Sequence, residues 1–297
     1  MTGYSAIDLS QIPAPDVIEP LDFETILAGL KAAIIADAPE LAGVLALESE
    51  PVVKLLEVMT YRSLLDRARV NDAARAVMLA TATGADLDNL AALLGVSRLT
   101  LVAPDPEAIP PVPAVLEADA DLRTRTQLAL EGFSTAGPRG AYLFHALSAS
   151  GEVLDASVTS PAPGKVLVTV LSRSGIGAAD PALIATVAAA LNDEDVRPLC
   201  DEVQVTGAEI IDYVVTATLT MFAGPDGEAV RAAAEAAVRA YVAQSHRLGR
   251  SVRRSGLFRA LHQPGVERVD LVAPAVDIEP DARHAAWCSA VSVTVAA

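Results

Sequence analysis

From Pro51 the chain runs to Gly84 without another glycine or proline. Proline suits a first helical turn and nothing after it interrupts propagation, so the run predicts one long helix closed by Gly84. Leu55, Val58, Tyr61, Leu65 and Ala68 fall on one stripe of that helix, and Val52, Leu56 and Met59 on a second beside it. Two adjacent apolar stripes occupy more circumference than one packing neighbour covers. About thirty residues of helix span roughly 45 Å, more than a compact small domain uses. The pattern predicts an intersubunit helix bundle, with an ordinary core helix as the alternative.

The rest of the chain divides around this element. Pro13, Pro15 and Pro20 make residues 1–20 an extended arm, ordered only if it lies on a partner. Phe23, Ile26, Leu27 and Leu30 have helical spacing, with an end before Pro39. A short helix follows Gly84 and stops at Gly95. Pro104, Pro106, Pro110, Pro111 and Pro113 then forbid helix and central strand, which predicts a stiff linker over residues 103–114. The main boundary falls there, leaving residues 21–102 as an N-terminal helical domain.

Beyond the linker, Asp119–Glu131 and Arg139–Ala149 read as helices. Val153–Thr159 and Val166–Leu171 form a hairpin across Ser160-Pro161-Ala162-Pro163-Gly164. Asp180-Pro181 opens a helix to Leu191, and Val203–Thr206 is a third strand. Tyr213, Val215, Ala217, Leu219 and Met221 alternate with Val214, Thr216, Thr218 and Thr220, the pattern of a half-buried strand. Gly224-Pro225-Asp226-Gly227 turns into an Ala-rich helix bearing Val230, Ala233, Ala237 and Tyr241. Arg253–His262 is another helix, and Val266–Val272 and Ser289–Val295 are the last strands. The order is ββαβ and then βααββ, so residues 115–207 and 208–297 read as two small α/β sandwich-like units with mixed or antiparallel sheets. The fold class is α+β.

Aromatic residues make up 4% of the 297, against 52% hydrophobic, which predicts cores packed from Ala, Val and Leu rather than an aromatic-lined pocket. A net charge of −16 argues against a non-specific DNA or anionic-membrane binder. That charge is unevenly spread. Residues 1–60 hold ten acids, from Asp8 to Glu57, against Lys31 and Lys54, whereas Arg239 to Arg259 holds six arginines and no acid. Arg247, Arg250, Arg253 and Arg254 cluster around Gly249, and the preferred reading is a protein–protein salt-bridge surface, with a solvated face as the alternative. As nucleic-acid contacts they lack interleaved aromatics, Tyr241 and Phe258 being the ones nearby.

Residues that carry chemistry are sparse. Gly164-Lys165 lies in a hairpin turn, and Gly175-Ile176-Gly177 lacks the third glycine of a dinucleotide loop. His145, His246, His262 and His284 have no metal-ligand spacing. Asp119 and Asp121 open a helix, where acids complement the dipole, and Asp193-Glu194-Asp195 lacks the spacing of a calcium loop. Cys200 and Cys288 are far apart and read as reduced thiols. No catalytic, cofactor-binding or metal residue is assigned, and the chain reads as a protein that is not an enzyme. Met1–Ser10 has neither a basic region nor an apolar run, and Ala182–Leu191 is far too short to span a membrane, which predicts a soluble chain without a cleavable export signal.

Several segments, in order, resemble the baseplate J-like family of contractile tails, and the resemblance runs from about residue 40 to the end. Gly84-Ala-Asp-Leu-Asp-Asn-Leu-Ala-Ala-Leu-Leu-Gly95-Val-Ser-Arg98 resembles its G-x-x-L-D-x-L-A-x-x-x-G-V-x-R segment. Glu117-Ala-Asp-Ala-Asp-Leu-Arg-Thr-Arg125 is similar to its acidic-then-LRxR helix. Gly140-Ala-Tyr142 and the hairpin from Val153 to Val170 resemble its G-x-Y helix and first hairpin. Asp195-Val-Arg-Pro198, before Val203, resembles its D-V-R-P segment, with Cys200 in place of a polar residue. Leu248-Gly249, Ser255-Gly256-Leu257 and Pro264-Gly265-Val266 are similar to its ending.

The resemblance implies a structural wedge subunit, arranged with sixfold symmetry in a ring around a central hub and coupling baseplate rearrangement to sheath contraction. It implies pairing with itself (as a homodimer) or a paralogue through the N-terminal helices. A tail protein I-type subunit and a small lysozyme-like wedge protein are the further partners implied, with no membrane and no nucleic acid. The implied location is the tail baseplate of a virion or related injection particle, assembled in the bacterial cytoplasm. Two other readings stay open: a nucleic-acid-contacting tail component, and an enzyme or binding module with a pocket on the α+β units.

Overall fold

The computed structural model describes residues 7–134, 136–224 and 226–296. Helices dominate the N-terminal part and small mixed sheets the rest, so the fold is α+β as expected. Of the arm, residues 1–6 lie outside the described set, as does Pro225 of the turn before the Ala-rich helix. The chain forms two compact units, one up to Ser97 and the other from Arg98.

In the first unit, α1 (Phe23–Asp37) is capped by Asp22, whose carboxylate accepts the Thr25 N–H at 2.7 Å. A single turn, α2 (Ala42–Leu45), leads to α3 (Pro51–Ala76), and α4 (Gly84–Ala92) follows. Leu27, Leu45, Val53 and Leu56 form the core between α1 and α3, flanked by Phe23, Leu30, Ile34 and Val52. The end of the arm lies on α3, where the Asn71 side chain both accepts the Glu19 N–H (3.2 Å) and donates to the Glu19 carbonyl (2.8 Å).

The long helix is shorter than expected. It stops at Ala76, giving 26 residues and about 39 Å, and Gly84 opens α4 rather than closing α3. The reason is a cap from downstream: the Thr81 hydroxyl donates to the Arg75 carbonyl at 2.7 Å, satisfying an end that would otherwise need another turn.

In the second unit, β1 (Thr100–Val102) pairs antiparallel with β2 (Val115–Leu116), and Asp105 and Val112 exchange two hydrogen bonds of 2.9 Å beyond them. Pro106, Pro110 and Pro111 therefore sit in the loop of a β-ladder, and Pro104 and Pro113 flank its last bridge, so the segment is not a free linker. Helices α5 (Asp119–Gly132) and α6 (Arg139–Ser148) precede β3 (Val153–Ala162) and β4 (Lys165–Ser172), and α7 (Pro181–Leu191) crosses over to β5 (Glu202–Gly207). The sheet order is β3-β4-β5, antiparallel then parallel. Tyr142, Ala146, Val153, Val168, Val170, Val187 and Leu191 fill the core beneath it.

A second mixed sheet follows: β6 (Glu209–Met221) lies between β7 (Val266–Ala273) and β8 (His284–Val295), with α8 (Gly227–Ser245) and α9 (Arg254–Leu261) contributing to the core on one face. Strand β8 starts at His284, ahead of the Ser289 expected from the sequence. The register shifts where Cys288 faces Tyr213 and Ala290 faces Val214, so Ser289 bulges and breaks the alternation along the strand.

Candidate assembly surface

Helix α3 is split lengthwise. Val53 and Leu56 point into the core with α1, and Thr60 is also buried. On the other side Leu55 is 65% exposed, Val58 62%, Tyr61 55% and Leu65 41%. Those are four of the five residues of the stripe singled out in the sequence, and the chain by itself leaves them in water; the fifth, Ala68, is half-buried beside the end of the arm. Of the second stripe, Leu56 is buried, whereas Met59 is exposed and forms one wall of a groove with Leu30, Ala33, Ile34, Ala38 and Leu56. The outward stripe and this groove make a ridge and an adjoining furrow, the relief that a second helix packs into.

The arginine cluster is less open than its spacing suggests. Arg253 pairs with Asp277 (3.1 Å) and with Glu279. Arg254 donates to the carbonyls of Pro274 and Leu271 and lies over the Phe258 ring. Its backbone N–H, with the Arg253 guanidinium, holds the Asp277 carboxyl below the usual range. Arg247 donates to the His246 carbonyl and stands 3.9 Å from Asp121. Arg250 is exposed, and no ion pair to it is present among the described residues. The acid-free window in the sequence is thus not acid-free in space, because residues 277–279 fold back onto it.

Three of the four histidines have contacts that serve the fold, and His262 is exposed. His246 is buried, bonded through Nδ1 to the Ala286 carbonyl (2.8 Å) and edge-on to Trp287. His145 is half-buried against Phe144, and burial pushes its pKa down. His284 bridges Asp281 (2.6 Å) and Glu209 (3.2 Å), and the Asp281 carboxylate pushes its pKa up. The acids at the start of α5 carry arginines, Asp119 with Arg98 and Asp121 with Arg173. Asp193 instead closes its own turn by accepting the Asp195 N–H. Among the described residues no group of histidines, cysteines and acids is placed to hold a metal, and Cys200 and Cys288 are free thiols. No helix of the described residues is long and apolar enough to cross a membrane.

Three stretches of the chain match, in order, the Baseplate J-like N-terminal domain over residues 48–105, the central domain over 134–207 and the C-terminal domain over 213–294. The chain belongs to the Baseplate J-like family. It is also 52% identical, over 288 residues and 95% of each chain, to "Baseplate protein J" of Escherichia phage P2. Both findings support a phage baseplate structural protein. The first matched segment takes in α3 and β1, the second and third the two mixed sheets.

Proposed function

We propose that the protein is a wedge subunit of a contractile-tail baseplate, joined to a second copy or a paralogue through α3. The single observation behind this reading is the outward stripe of Leu55, Val58, Tyr61 and Leu65 on a helix whose opposite face already has its neighbour. Covering each of these side chains stabilises an assembly by about 1.5–3 kcal/mol at full burial. A stripe of this length and an apolar groove beside it suit a helical partner better than a small ligand.

In this reading the wedges form a ring around the central hub and pass baseplate rearrangement on to sheath contraction. Other tail and baseplate proteins are the partners, among them a tail protein I-type subunit and a lysozyme-like wedge protein. The particle location is the virion tail baseplate, and the role is mechanical rather than catalytic. Light scattering of the full chain over a concentration series, alone and with candidate tail proteins, tests it. Association that the α3 stripe controls is expected; a chain monomeric throughout, with every tail protein tried, contradicts it.

A further inference from the structure

The two sheet domains of the second unit each close their own core. Tyr142, Val168, Val170 and Leu191 lie in one, Val215, Leu219, Val238 and Leu257 in the other; among the described residues the two cores share no member, and the fully buried Leu171 and Ala285 belong to neither. The contact between the domains combines packing, where the buried His246 lies against Gly177 beside Leu171, with a set of polar links. Asp155, on the edge strand β3, accepts the Leu248 N–H at 2.9 Å. Two residues on, the Ser157 hydroxyl donates to the Ala282 carbonyl. Arg247 stands 3.9 Å from one oxygen of Asp121, whose other oxygen holds Arg173 at 2.9 Å. Glu117 and Arg125 complete the small charged cavity that these groups and Asp155 line.

Beside the polar contacts the seam is not filled. A groove of about 420 Å³ runs between Leu143, Ala156 and Val158 on one side and Leu248, Pro280 and Ala282 on the other. Along this groove apolar burial, the main adhesive of a rigid interface, is therefore incomplete. The polar adhesive is itself under tension. Burial pushes the Asp155 carboxyl pKa up; the Leu248 N–H, then Arg247 and the Ala156 N–H, oppose that rise, and Asp121 adds to it. Burial prevails, so the charged form of Asp155 carries a desolvation cost in the seam that separation of the domains would relieve.

We propose that this seam is a conformational latch. It closes when Asp155 takes the Leu248 N–H, and it opens by rotation of the C-terminal domain about the Ala208–Glu209 connection, where Ala208 still bonds the Val170 carbonyl and Glu209 the Arg283 carbonyl, both cores staying intact. In a subunit of an assembly that changes shape, such a seam lets the C-terminal domain reorient without unfolding. The inference stands on the seam alone and does not depend on what α3 binds.

Hydrogen exchange followed residue by residue on the full chain tests it. In the unmodified protein the Leu248 amide is expected to exchange faster than amides of Val168–Val170 and Val215–Leu219. Asp155→Ala, which strands the Leu248 N–H, is expected to speed its exchange by roughly tenfold or more, leaving the two cores unchanged. Asp155→Asn keeps an acceptor without the charge and is expected to return Leu248 to the original rate or below it. A nitroxide pair at Cys200 and an Arg268→Cys site, in a Cys288→Ser background, reports the domain separation, which Asp155→Ala should broaden. Equal exchange at Leu248 and in both cores would overturn the latch, and this comparison needs no variant to fold. So would an Asp155→Ala protein with an unaltered Leu248 rate, or with an unaltered distance distribution.

Discussion

Glu117 and Arg125 meet in a buried fork, with Nε 2.8 Å from one carboxylate oxygen and Nη2 2.6 Å from the other. The pair gathers three segments. The Leu99 N–H donates to the Glu117 carboxylate, Arg98 donates to the Glu117 carbonyl, and Arg125 donates to the Ser148 hydroxyl at the end of α6. Breaking a buried pair by removing one partner leaves a charge with neither water nor counter-ion. Glu117→Ala should therefore lower stability by about 3–5 kcal/mol. Replacing both, as Glu117→Leu with Arg125→Met, should recover much of that loss. Urea unfolding of the three proteins measures it, and a loss under about 1 kcal/mol for Glu117→Ala would show the fork to be dispensable.

The two faces of α3 should respond oppositely to substitution. Leu56 is buried against α1, so Leu56→Ala should cost about 2–5 kcal/mol of stability. Leu65 is exposed in the single chain, and Leu65→Asp should change stability by no more than about 0.5 kcal/mol while abolishing association. Thermal unfolding and light scattering separate the two effects. If Leu65→Asp unfolds the protein and the surviving folded fraction still associates, the stripe belongs to an internal core.

Much of this architecture was written in local pattern. The two-residue alternation from Tyr213 to Met221 and the Asp180-Pro181 cap each act within a few residues, and the structure places β6 and α7 there. What escaped depends on residues distant in sequence or on competing local signals. The stop at Ala76 comes from a threonine hydroxyl five residues beyond the helix, with no glycine to mark it. The start of β8 hid in Ala285–Cys288, an apolar run without alternation that the Ser289 bulge interrupts. The Glu117–Arg125 fork spans a loop–helix boundary, which periodicity does not report. The arginine window looked unpartnered because its carboxylates, Asp277 and Glu279, lie more than twenty residues downstream.

The loop between β1 and β2 should be the first protease-sensitive segment of the described chain. Pro106 to Pro111 carries no paired strand, and Ile109 is almost fully exposed. Exposed backbone with few protecting contacts is what a protease needs to draw into its cleft. The competing site is the turn at Leu199–Cys200, which is equally exposed. Limited proteolysis with mass spectrometry decides between them, and a first cut at Leu199 would show that the proline loop is held more firmly than its exposure suggests.

Reversing charges around Gly249 should separate an assembly contact from an internal one. Arg253→Glu would face Asp277 and Glu279 at close range, converting two attractions into repulsions within the chain. Its effects on assembly would be mixed with local loosening. Arg250 has no such partner among the described residues and projects into solvent, so Arg250→Glu changes the field outside the protein and little within it. If Arg250 meets an acidic surface on a neighbouring subunit, such as the acidic first sixty residues of another copy, its reversal should slow association at low salt. The loss at equilibrium should be modest, since exposed pairs contribute about 0.2–1 kcal/mol. It should fade as salt shortens the screening length from about 10 Å at 0.1 M to about 3 Å at 1 M. Stopped-flow light scattering at both salt concentrations, with circular dichroism to confirm the fold, reads this directly. Association of Arg250→Glu as fast as that of the unmodified protein at low salt would make the arginines a solvated face.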